Sequence, residues 1–383
     1  MQLQYQNKKT EQEIFNSIPD IELVQINSSE NPNLLIQANN LIVLKQLITK
    51  HDLKGKIDLI YIDPPFATNN TFTITNGRAN TISNSSNGTV AYTDTLKGFD
   101  FIEFIRERLI LLKMLLSDKG SIYLHIDYKI GHYVKIIMDE IFGIENFRND
   151  ITRIKCNPKN FARKGYGNIK DLILFYSKSD SLIWNEPKIP YSEEDKIKLF
   201  PKIDDNGRRY TTIPLHAPGE TQNGKTSQPF KGILPPPGRH WRSDVSVLEQ
   251  WDRDGLIEWS DNGNPRKKIY FDQQEGKRVQ DVWEFKDPQY PTYPTEKNSD
   301  LLDLIVKTSS NENSIVLDCF AGSGTTLRAA QINGRQWIGI DQSYEAIKAI
   351  IQKLNSLESD LFISKADYKL MIEKKQMIFA NSR

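Results

Sequence analysis

The sequence contains little sulfur, no large charge excess and no long apolar run. Its 383 residues include two cysteines, Cys156 and Cys319, too few for a disulfide framework or a multi-cysteine metal site. Lysine and arginine total 50 against 49 acidic residues, so the overall charge does not reveal a polyanionic partner, and any basic surface must come from local segregation of charge. No stretch approaches the roughly 20 apolar residues that cross a bilayer, and residues 1–20 lack the apolar run of a signal peptide. We therefore expect a cytoplasmic protein without a metal site or membrane association.

Short apolar runs alternate with segments of helical periodicity. Buried parallel strands are expected to be almost continuously apolar, because helices cover both faces of their sheet. Four runs fit this description, and two segments between or after them have helical spacing. The predicted strands are 58–62, 121–126, 314–320 and 337–340, and the predicted helices are 101–118 and 325–332. This alternation predicts an α/β fold built on a doubly wound parallel sheet.

Two segments interrupt the alternation. Residues 67–98 are rich in Thr, Asn, Ser and Gly, and we interpret them as a mobile loop near the active site or as an insertion without function. Residues 151–292 contain Pro- and Gly-rich turns and several tryptophans, with one sheet strand expected near 172–177. The predicted organisation is a first half over 1–150, an inserted module over 151–292 and a second half over 293–383.

The first chemical motif is Asp63-Pro64-Pro65-Phe66, directly after the strand 58–62. The prolines fix the backbone and remove two N–H donors, so the Pro64 carbonyl is held as a rigid acceptor. Asp63 supplies a second acceptor at the carboxyl edge of the sheet, where open α/β folds bind ligands. Two acceptors beside an aromatic ring suit a planar base with an amino group, although Asp-Pro also commonly ends a strand.

The second motif is the strand and glycine-rich turn over 316–326, which runs into a helix. Its glycines let the backbone approach a ligand. Asp341 ends the next strand about 20 residues later, where an acid usually binds ribose hydroxyls. Alone, this pair is compatible with a nucleotide, a flavin or S-adenosylmethionine.

Together the two motifs resemble the amino-group DNA methyltransferases, whose signature combines a (Asp/Asn/Ser)-Pro-Pro-aromatic tetrapeptide with a Phe-x-Gly-x-Gly cofactor loop. The tetrapeptide comes first and the loop last, as in the β class, so the resemblance implies a circularly permuted Rossmann-like methyltransferase sheet with an inserted target-recognition module. The segments 120–127, 172–178, 238–242 and 293–297 extend the resemblance, most closely to type III modification subunits and their shorter relatives.

The resemblance implies S-adenosylmethionine as cofactor and a flipped adenine in double-stranded DNA as target. Catalytic roles fall on Asp63, Pro64, Pro65 and Phe66. Cofactor contacts are expected from Asn39, Asp63, Thr295, Lys297, Asp318, Phe320, Ala321, Gly322, Ser323, Gly324 and Asp341. Asn39 occupies a position where the family usually has Asp, and Asn298 one where it usually has Pro. Both differences lower the affinity expected for the cofactor.

Basic residues gather at the start of the inserted module. Six positive charges and no acid occur over 151–170, which indicates either phosphate contacts or a solvated basic face. The candidates for DNA binding are Arg153, Lys155, Lys159, Arg163 and Lys164, followed by Arg239 and Arg242.

Other interpretations differ in substrate or in class. An N4-cytosine methyltransferase would use the same geometry, but its tetrapeptide more often begins with Ser. A catalytically silent DNA-binding subunit would have no need of intact motifs, and a dinucleotide oxidoreductase would leave the tetrapeptide without a role. Neither cysteine is placed as a nucleophile, which argues against methylation of a ring carbon. A homodimer and a cognate restriction endonuclease are further expected partners, whereas the recognition sequence stays undetermined.

Overall fold

The structure is a computed structural model, and it describes residues 2–65, 71–75, 78–80, 89–93, 98–158, 164–291, 293–294, 296–359 and 366–375. The helices are α1 (Glu11–Ser17), α2 (Asn40–Thr49), α3 (Gly98–Leu115), α4 (Gly131–Phe142), α5 (Glu193–Leu199), α6 (Val245–Arg253), α7 (Ser299–Ser309), α8 (Thr325–Ile332) and α9 (Tyr344–Asn355). The strands of the first part are β1 (Leu23–Gln25), β2 (Leu34–Gln37), β3 (Ile57–Ile62), β4 (Thr71–Thr75), β5 (Arg78–Asn80), β6 (Thr89–Thr93), β7 (Leu116–Ile126), β8 (Phe147–Ile154) and β9 (Lys170–Ser177). They are followed by β10 (Lys188–Ile189), β11 (Lys202–Ile203), β12 (Arg209–Pro214), β13 (His216–Pro218), β14 (Arg239–Trp241), β15 (Ile257–Trp259), β16 (Pro265–Tyr270), β17 (Lys277–Arg278), β18 (Val282–Trp283), β19 (Ile315–Asp318), β20 (Gln336–Asp341) and β21 (Lys369–Glu373).

A mixed sheet organises the larger part of the chain. Its strand order is β1-β21-β2-β20-β19-β3-β7-β9-β8-β18. The strands from β21 to β7 are parallel, whereas β1 and β9 run antiparallel to their neighbours. Strands β3, β7 and β20 contain three of the predicted apolar runs, and β19 lies within the fourth, 314–320. The α/β, circularly permuted Rossmann-like sheet predicted from the sequence is therefore confirmed.

Helix α3 packs its apolar face into the core of this sheet. Phe101, Ile105 and Leu109, which set the predicted helical spacing, are all buried. The helix ends at Leu115, three residues earlier than predicted, and β7 begins at once. The chain passes so close to β3 there that a Cβ on Gly120 would lie 2.7 Å from the Ile57 carbonyl oxygen. Glycine at this position lets the two strands meet.

The predicted loop over 67–98 contains secondary structure. Strands β4, β5 and β6 form an antiparallel sheet in the order β5-β4-β6. The expectation of a segment without regular structure is thus wrong for these residues, because Thr and Val, which favour strands, outweigh the neighbouring Asn and Gly. Residues 66–70, 76–77, 81–88 and 94–97, on which the expectation of a mobile loop also rests, lie outside the described residues.

A second compact unit covers 188–279. It contains the four-stranded sheet β11-β12-β16-β15 and two two-stranded antiparallel sheets, β10-β17 and β13-β14. Leu215, Phe230, Trp241 and Leu248 form its core. The unit is narrower than the predicted module over 151–292, because β8, β9 and β18 hydrogen-bond within the main sheet. Strand β9 covers the strand expected near 172–177.

Within the described part of the chain, none of the helices combines the length and apolar character needed to span a membrane.

Candidate active site

Four neighbouring parallel strands end at one edge of the main sheet. These are β2, β20, β19 and β3, in that spatial order. Their carboxyl ends bring Asn39, Asp341, Asp318 and Asp63 to the same edge, although these residues are distant in sequence. Open α/β sheets bind their ligands at this edge. The two sequence motifs therefore belong to one site.

Asp63 follows β3, and its two carboxylate oxygens have different surroundings. Oδ2 lies 2.7 Å from the Lys297 ammonium group, and both side chains are largely buried. Oδ1 is buried and has no hydrogen-bond partner among the described residues. A buried acceptor without a partner costs free energy on the order of 1–3 kcal/mol, so a donor that reaches Oδ1 is favoured. Pro64 is buried and Pro65 half-buried, whereas Phe66 lies outside the described residues.

The glycine-rich turn is held by the two carboxylates that flank it. The Phe320 amide donates to Asp318 Oδ1 at 3.0 Å, and the Gly322 amide donates to Asp341 Oδ2 at 2.9 Å. The other Asp341 oxygen accepts from the Ser343 amide at 2.8 Å. Asp341 thus fixes the turn itself, a role that sequence reasoning did not assign to it.

Burial changes the acidity of both flanking carboxyl groups. It raises the pKa of Asp318 to about 7, with smaller contributions from the negative charges of Asp63 and Asp341. Burial also raises the pKa of Asp341, against the three backbone amides that donate to it. A cationic ligand at this edge would relieve the crowding of negative charge.

Gly324 shows why the turn needs glycine. Its φ of +75° lies in the left-handed region, and it begins α8. A Cβ there would lie 2.9 Å from Ile350 of α9. Gly322 is also left-handed, with φ of +50°. Ala321, which precedes the two glycines, and Ser323, which lies between them, are buried. The turn is therefore tightly packed, with Gly322 half-buried and Gly324 buried.

Lys353 is a site residue that sequence reasoning missed. Its ammonium group lies 2.5 Å from Glu296 Oε1 and donates to the Thr325 and Ser323 hydroxyls at 2.9 and 3.2 Å. It joins the segment around Lys297 to the start of α8. A lysine in an amphipathic helix carries no sequence signal for such a role. Thr295, the other predicted contact in this segment, lies outside the described residues.

Asn39 has a partner within its own helix, and its contact with the cofactor stays a prediction. Its side-chain oxygen caps α2 by accepting from the Leu41 amide at 3.0 Å. The next residue, Asn40, instead reaches the glycine-rich turn and donates to the Cys319 carbonyl at 2.7 Å. Asn40 is in turn held by the buried Arg108, whose Nε donates to it at 2.8 Å. Because Asn39 Oδ1 already has this donor, its availability to a cofactor amine is reduced.

A row of buried polar side chains lies behind Asp63, which we call the His125 network: Tyr61, His125, Asp171, Arg153 and Lys155. The Tyr61 hydroxyl lies 2.9 Å from His125 Nδ1, and His125 Nε2 lies 3.3 Å from Asp171 Oδ2. Lys155 and Arg153 approach Asp171 at 2.6 and 3.7 Å. His125 Nδ1 is 4.0 Å from Asp63 Oδ1. A histidine within the apolar run 121–126 was the available sequence signal for this network.

Arg153 does not contact DNA phosphates, contrary to the prediction. Its side chain is fully buried, and it donates to the Phe285 carbonyl at 2.7 Å and to Asp287 at 2.5 Å. Lys155 is similarly engaged with Asp171 and is mostly covered. Arg153 lies in β8 and Lys155 directly follows that strand, and both side chains form ion pairs with Asp171 of the neighbouring β9.

The remaining basic candidates differ in exposure. Lys164 is exposed, whereas Lys159 and Arg163 lie outside the described residues. In the unit over 188–279, Arg239 and Arg242 are exposed. Arg239 Nη1 lies 3.2 Å from His216 Nδ1, and burial together with these two arginines lowers the pKa of His216. This surface therefore keeps a local positive charge. The described residues contain no cluster of His, Cys, Asp and Glu suited to a metal ion.

The chain is similar to known DNA methyltransferases. A family model described as DNA methylase matches residues 57–353. Type II methyltransferase M.EcaI of Enterobacter cloacae is 40% identical over 328 residues, which cover 84% of this chain and 69% of that protein. The type III restriction-modification enzyme StyLTI Mod subunit of Salmonella typhimurium is 26% identical over 354 residues, 82% of this chain but only 52% of the subunit. Among solved structures, the M1.HpyAVI-SAM complex has a TM-score of 0.42 and 18% identity, with 84% of this chain and 100% of that chain covered.

Proposed function

Because this chain belongs to the DNA methylase family, we propose that it methylates the N6 amino group of an adenine flipped out of a specific sequence in duplex DNA. It is an amino-group DNA methyltransferase of the restriction-modification kind, and the family uses S-adenosylmethionine as methyl donor. The observation that carries the amino-group chemistry is Asp63 Oδ1 at the carboxyl edge of β3, which is buried and has no hydrogen-bond partner among the described residues. An exocyclic amine is the donor that this acceptor lacks. Adenine is favoured over cytosine because the tetrapeptide begins with Asp63 rather than with Ser.

The acids of the site fit the cofactor. S-adenosylmethionine carries a positively charged sulfonium and ammonium group, and Asp63, Asp318 and Asp341 gather negative charge at the edge it would occupy. A dinucleotide would instead bring its pyrophosphate to these carboxylates. The glycine-rich turn and Asp341 would hold the cofactor. The cofactor would supply an electrophilic methyl group. We expect Asp341 to keep the turn in its binding conformation and to accept from ribose hydroxyls.

Asp63 prepares the target amine. The lone pair of an aromatic amine is delocalised into the ring, which makes it a weak nucleophile. Hydrogen bonds from the amine to Asp63 Oδ1 and to the Pro64 carbonyl favour a tetrahedral nitrogen whose lone pair points away from the ring. Lys297 holds the carboxylate in place through Oδ2. Positioning and fixed charges of this kind supply most of the acceleration in a direct transfer.

The proposal is tested by the base that becomes methylated. DNA from a methylation-free host expressing the chain should contain N6-methyladenine at one short sequence, detected by nucleoside mass spectrometry and by modification-sensitive sequencing. N4-methylcytosine would refute the adenine assignment while retaining the amino-group chemistry. No modified base, together with retained DNA binding, would indicate the catalytically silent subunit instead.

Replacing Asp341 by alanine should weaken cofactor binding by roughly ten- to a hundredfold. Charge-assisted hydrogen bonds contribute about 1.5–3 kcal/mol, and the variant loses those to Gly322 and Ser343 as well as those expected to ribose. Isothermal calorimetry with S-adenosylmethionine measures the effect. Asp341→Asn keeps one carbonyl acceptor, so its dissociation constant should lie between those of wild type and Asp341→Ala. An unchanged dissociation constant for Asp341→Ala would exclude this role.

The exposed arginines of β14 and its continuation are proposed to contact phosphates. Neutralising Arg239 and Arg242 to glutamine should weaken binding to cognate and scrambled duplexes about equally. Each lost contact should reduce the slope of log affinity against log salt concentration by about 0.9. Lys198→Gln, an exposed lysine of the same unit, provides the control. Loss of affinity for the cognate duplex alone would identify these residues as base readers instead.

A further inference from the structure

His125 lies in line with Asp63 on the neighbouring strand. The register pairs Ile62 of β3 with Leu124 of β7, so the next residues along the two strands, Asp63 and His125, lie side by side. The imidazole is fully buried between the carboxylates of Asp63 and Asp171. A buried titratable group next to the reactive carboxylate needs a reason to be there, because an apolar residue would fill the space at lower cost.

The partners of His125 determine which ring nitrogen carries its hydrogen. Asp171 has its pKa lowered: burial opposes this, but the hydrogen bond from His125 and the charge of Lys155 outweigh it. Its ionised carboxylate can only accept, so His125 Nε2 donates to it. Nδ1 then has a lone pair, which accepts from the Tyr61 hydroxyl. Burial, together with the charge of Lys297, lowers the pKa of His125, so the ring is neutral near pH 7.

Methylation of an amine releases a proton that the site must remove. The N–C bond forms from the amine lone pair while the C–S bond of the donor breaks and its electron pair stays on sulfur. An amine N–H bond then breaks, its electron pair stays on nitrogen, and the proton passes to Asp63 Oδ1. Oδ2 faces the Lys297 ammonium group, which has no acceptor to offer. The proton therefore has to leave through the Oδ1 side.

We propose that His125 acts through Asp63 as the next acceptor of this proton. A shift of about 1 Å brings Nδ1 from 4.0 Å to hydrogen-bond distance of Oδ1. The Tyr61 hydroxyl first rotates away, which frees the single lone pair of Nδ1 to take the proton from Oδ1 as the Oδ1–H bond breaks and its electron pair stays on Asp63. The Tyr61 oxygen then accepts from the new Nδ1–H, since an aromatic hydroxyl both donates and accepts. The resulting imidazolium lies between Asp63 and Asp171, whose charges stabilise it, while Lys297 opposes its accumulation and favours release. Asp63 is then ready for the next amine.

The inference rests on the proposed function and is tested by single-turnover methylation at saturating cofactor and DNA. Wild-type rates should fall as the pH drops through a value below the ordinary histidine pKa of about 6.5. His125→Gln, which keeps polar contacts but cannot take up a proton, should lower the rate at pH 7 by roughly tenfold or more and lose this pH dependence. The exposed His132→Gln is the matched control and should behave as wild type. A pH profile for His125→Gln that matches wild type would overturn the inference.

A measurement on the unaltered protein covers the case in which the variant does not fold. The chain has five histidines, so their ring nitrogens can be resolved by nitrogen-15 NMR of the free protein. We expect His125 to show a protonated Nε2 and an unprotonated Nδ1 at pH 7. A protonated Nδ1 at that pH would refute the relay even if methylation is normal. Absence of methylation by the wild-type protein would instead refute the proposed function, so the two failures are distinct.

Discussion

Replacing Asp63 by alanine is expected to abolish methyl transfer, with a loss of about a thousandfold or more in the single-turnover rate. The variant removes the only buried carboxylate oxygen at this edge that has no hydrogen-bond partner among the described residues. The target amine then loses the acceptor that orients its lone pair. The neighbouring Lys297 also loses the carboxylate that it contacts at 2.7 Å.

The control variants separate chemistry from binding and folding. Calorimetry should show that Asp63→Ala still binds S-adenosylmethionine, because the glycine-rich turn and Asp341 are untouched. Asp58→Ala alters the same strand at its other end, where Asp58 accepts from Ser117 at 2.8 Å. It should retain near wild-type turnover. Near wild-type turnover in Asp63→Ala as well would mean that the amine is activated by a different group.

Replacing Asp171 by asparagine is expected to destabilise the protein by about 3–5 kcal/mol at pH 7. Asp171 is buried and is the shared carboxylate of the His125 network. When Asp171 loses its charge, the buried Arg153 still has the carboxylate of Asp287 but loses that of Asp171. Lys155 loses the carboxylate nearest to its ammonium group. Urea unfolding of the two proteins measures the difference.

The sign of the pH dependence follows from the lowered pKa of Asp171. A carboxyl group whose folded pKa lies below its unfolded value stabilises the protein above the unfolded value of about 3.9. That contribution is lost as the pH falls through the folded pKa. The difference between wild type and Asp171→Asn should therefore be constant at neutral pH and narrow below about pH 4. Asp52→Asn, which removes an exposed partner of Lys56, should unfold like wild type at every pH.

The central strands and the two motifs could be predicted because local sequence determines them. A parallel strand covered on both faces must be apolar along its length, which identified β3, β7, β19 and β20. The carboxyl ends of such strands meet at one edge, so Asp63, Asp318 and Asp341 could be placed together without a structure. The assignment of single residues to the cofactor and to DNA stays a prediction.

The interior ion pairs could not be predicted, because their members come from separate segments. Arg153 lies in a basic stretch that has the composition of an exposed surface, yet Asp171, Asp287 and the Phe285 carbonyl cover it. Only the pairing of β8 with β9 and β18 brings these groups together. Likewise, Lys353 acquires its partners through the packing of α9, which helical periodicity alone does not specify.

The adjacency of β3 and β19 has a consequence for synthesis on the ribosome. Strand β3 ends at Ile62 and its neighbour begins at Ile315, so about 250 residues are translated before the pair can form. Translation proceeds at about 5–20 residues per second, so the edge of β3 that pairs with β19 stays unpaired for roughly 10–50 s. An apolar strand with an open edge readily pairs with other chains. We therefore expect yields of folded protein to rise with slower initiation or with chaperones, and the catalytic centre to form only after β19 and β20 have been translated.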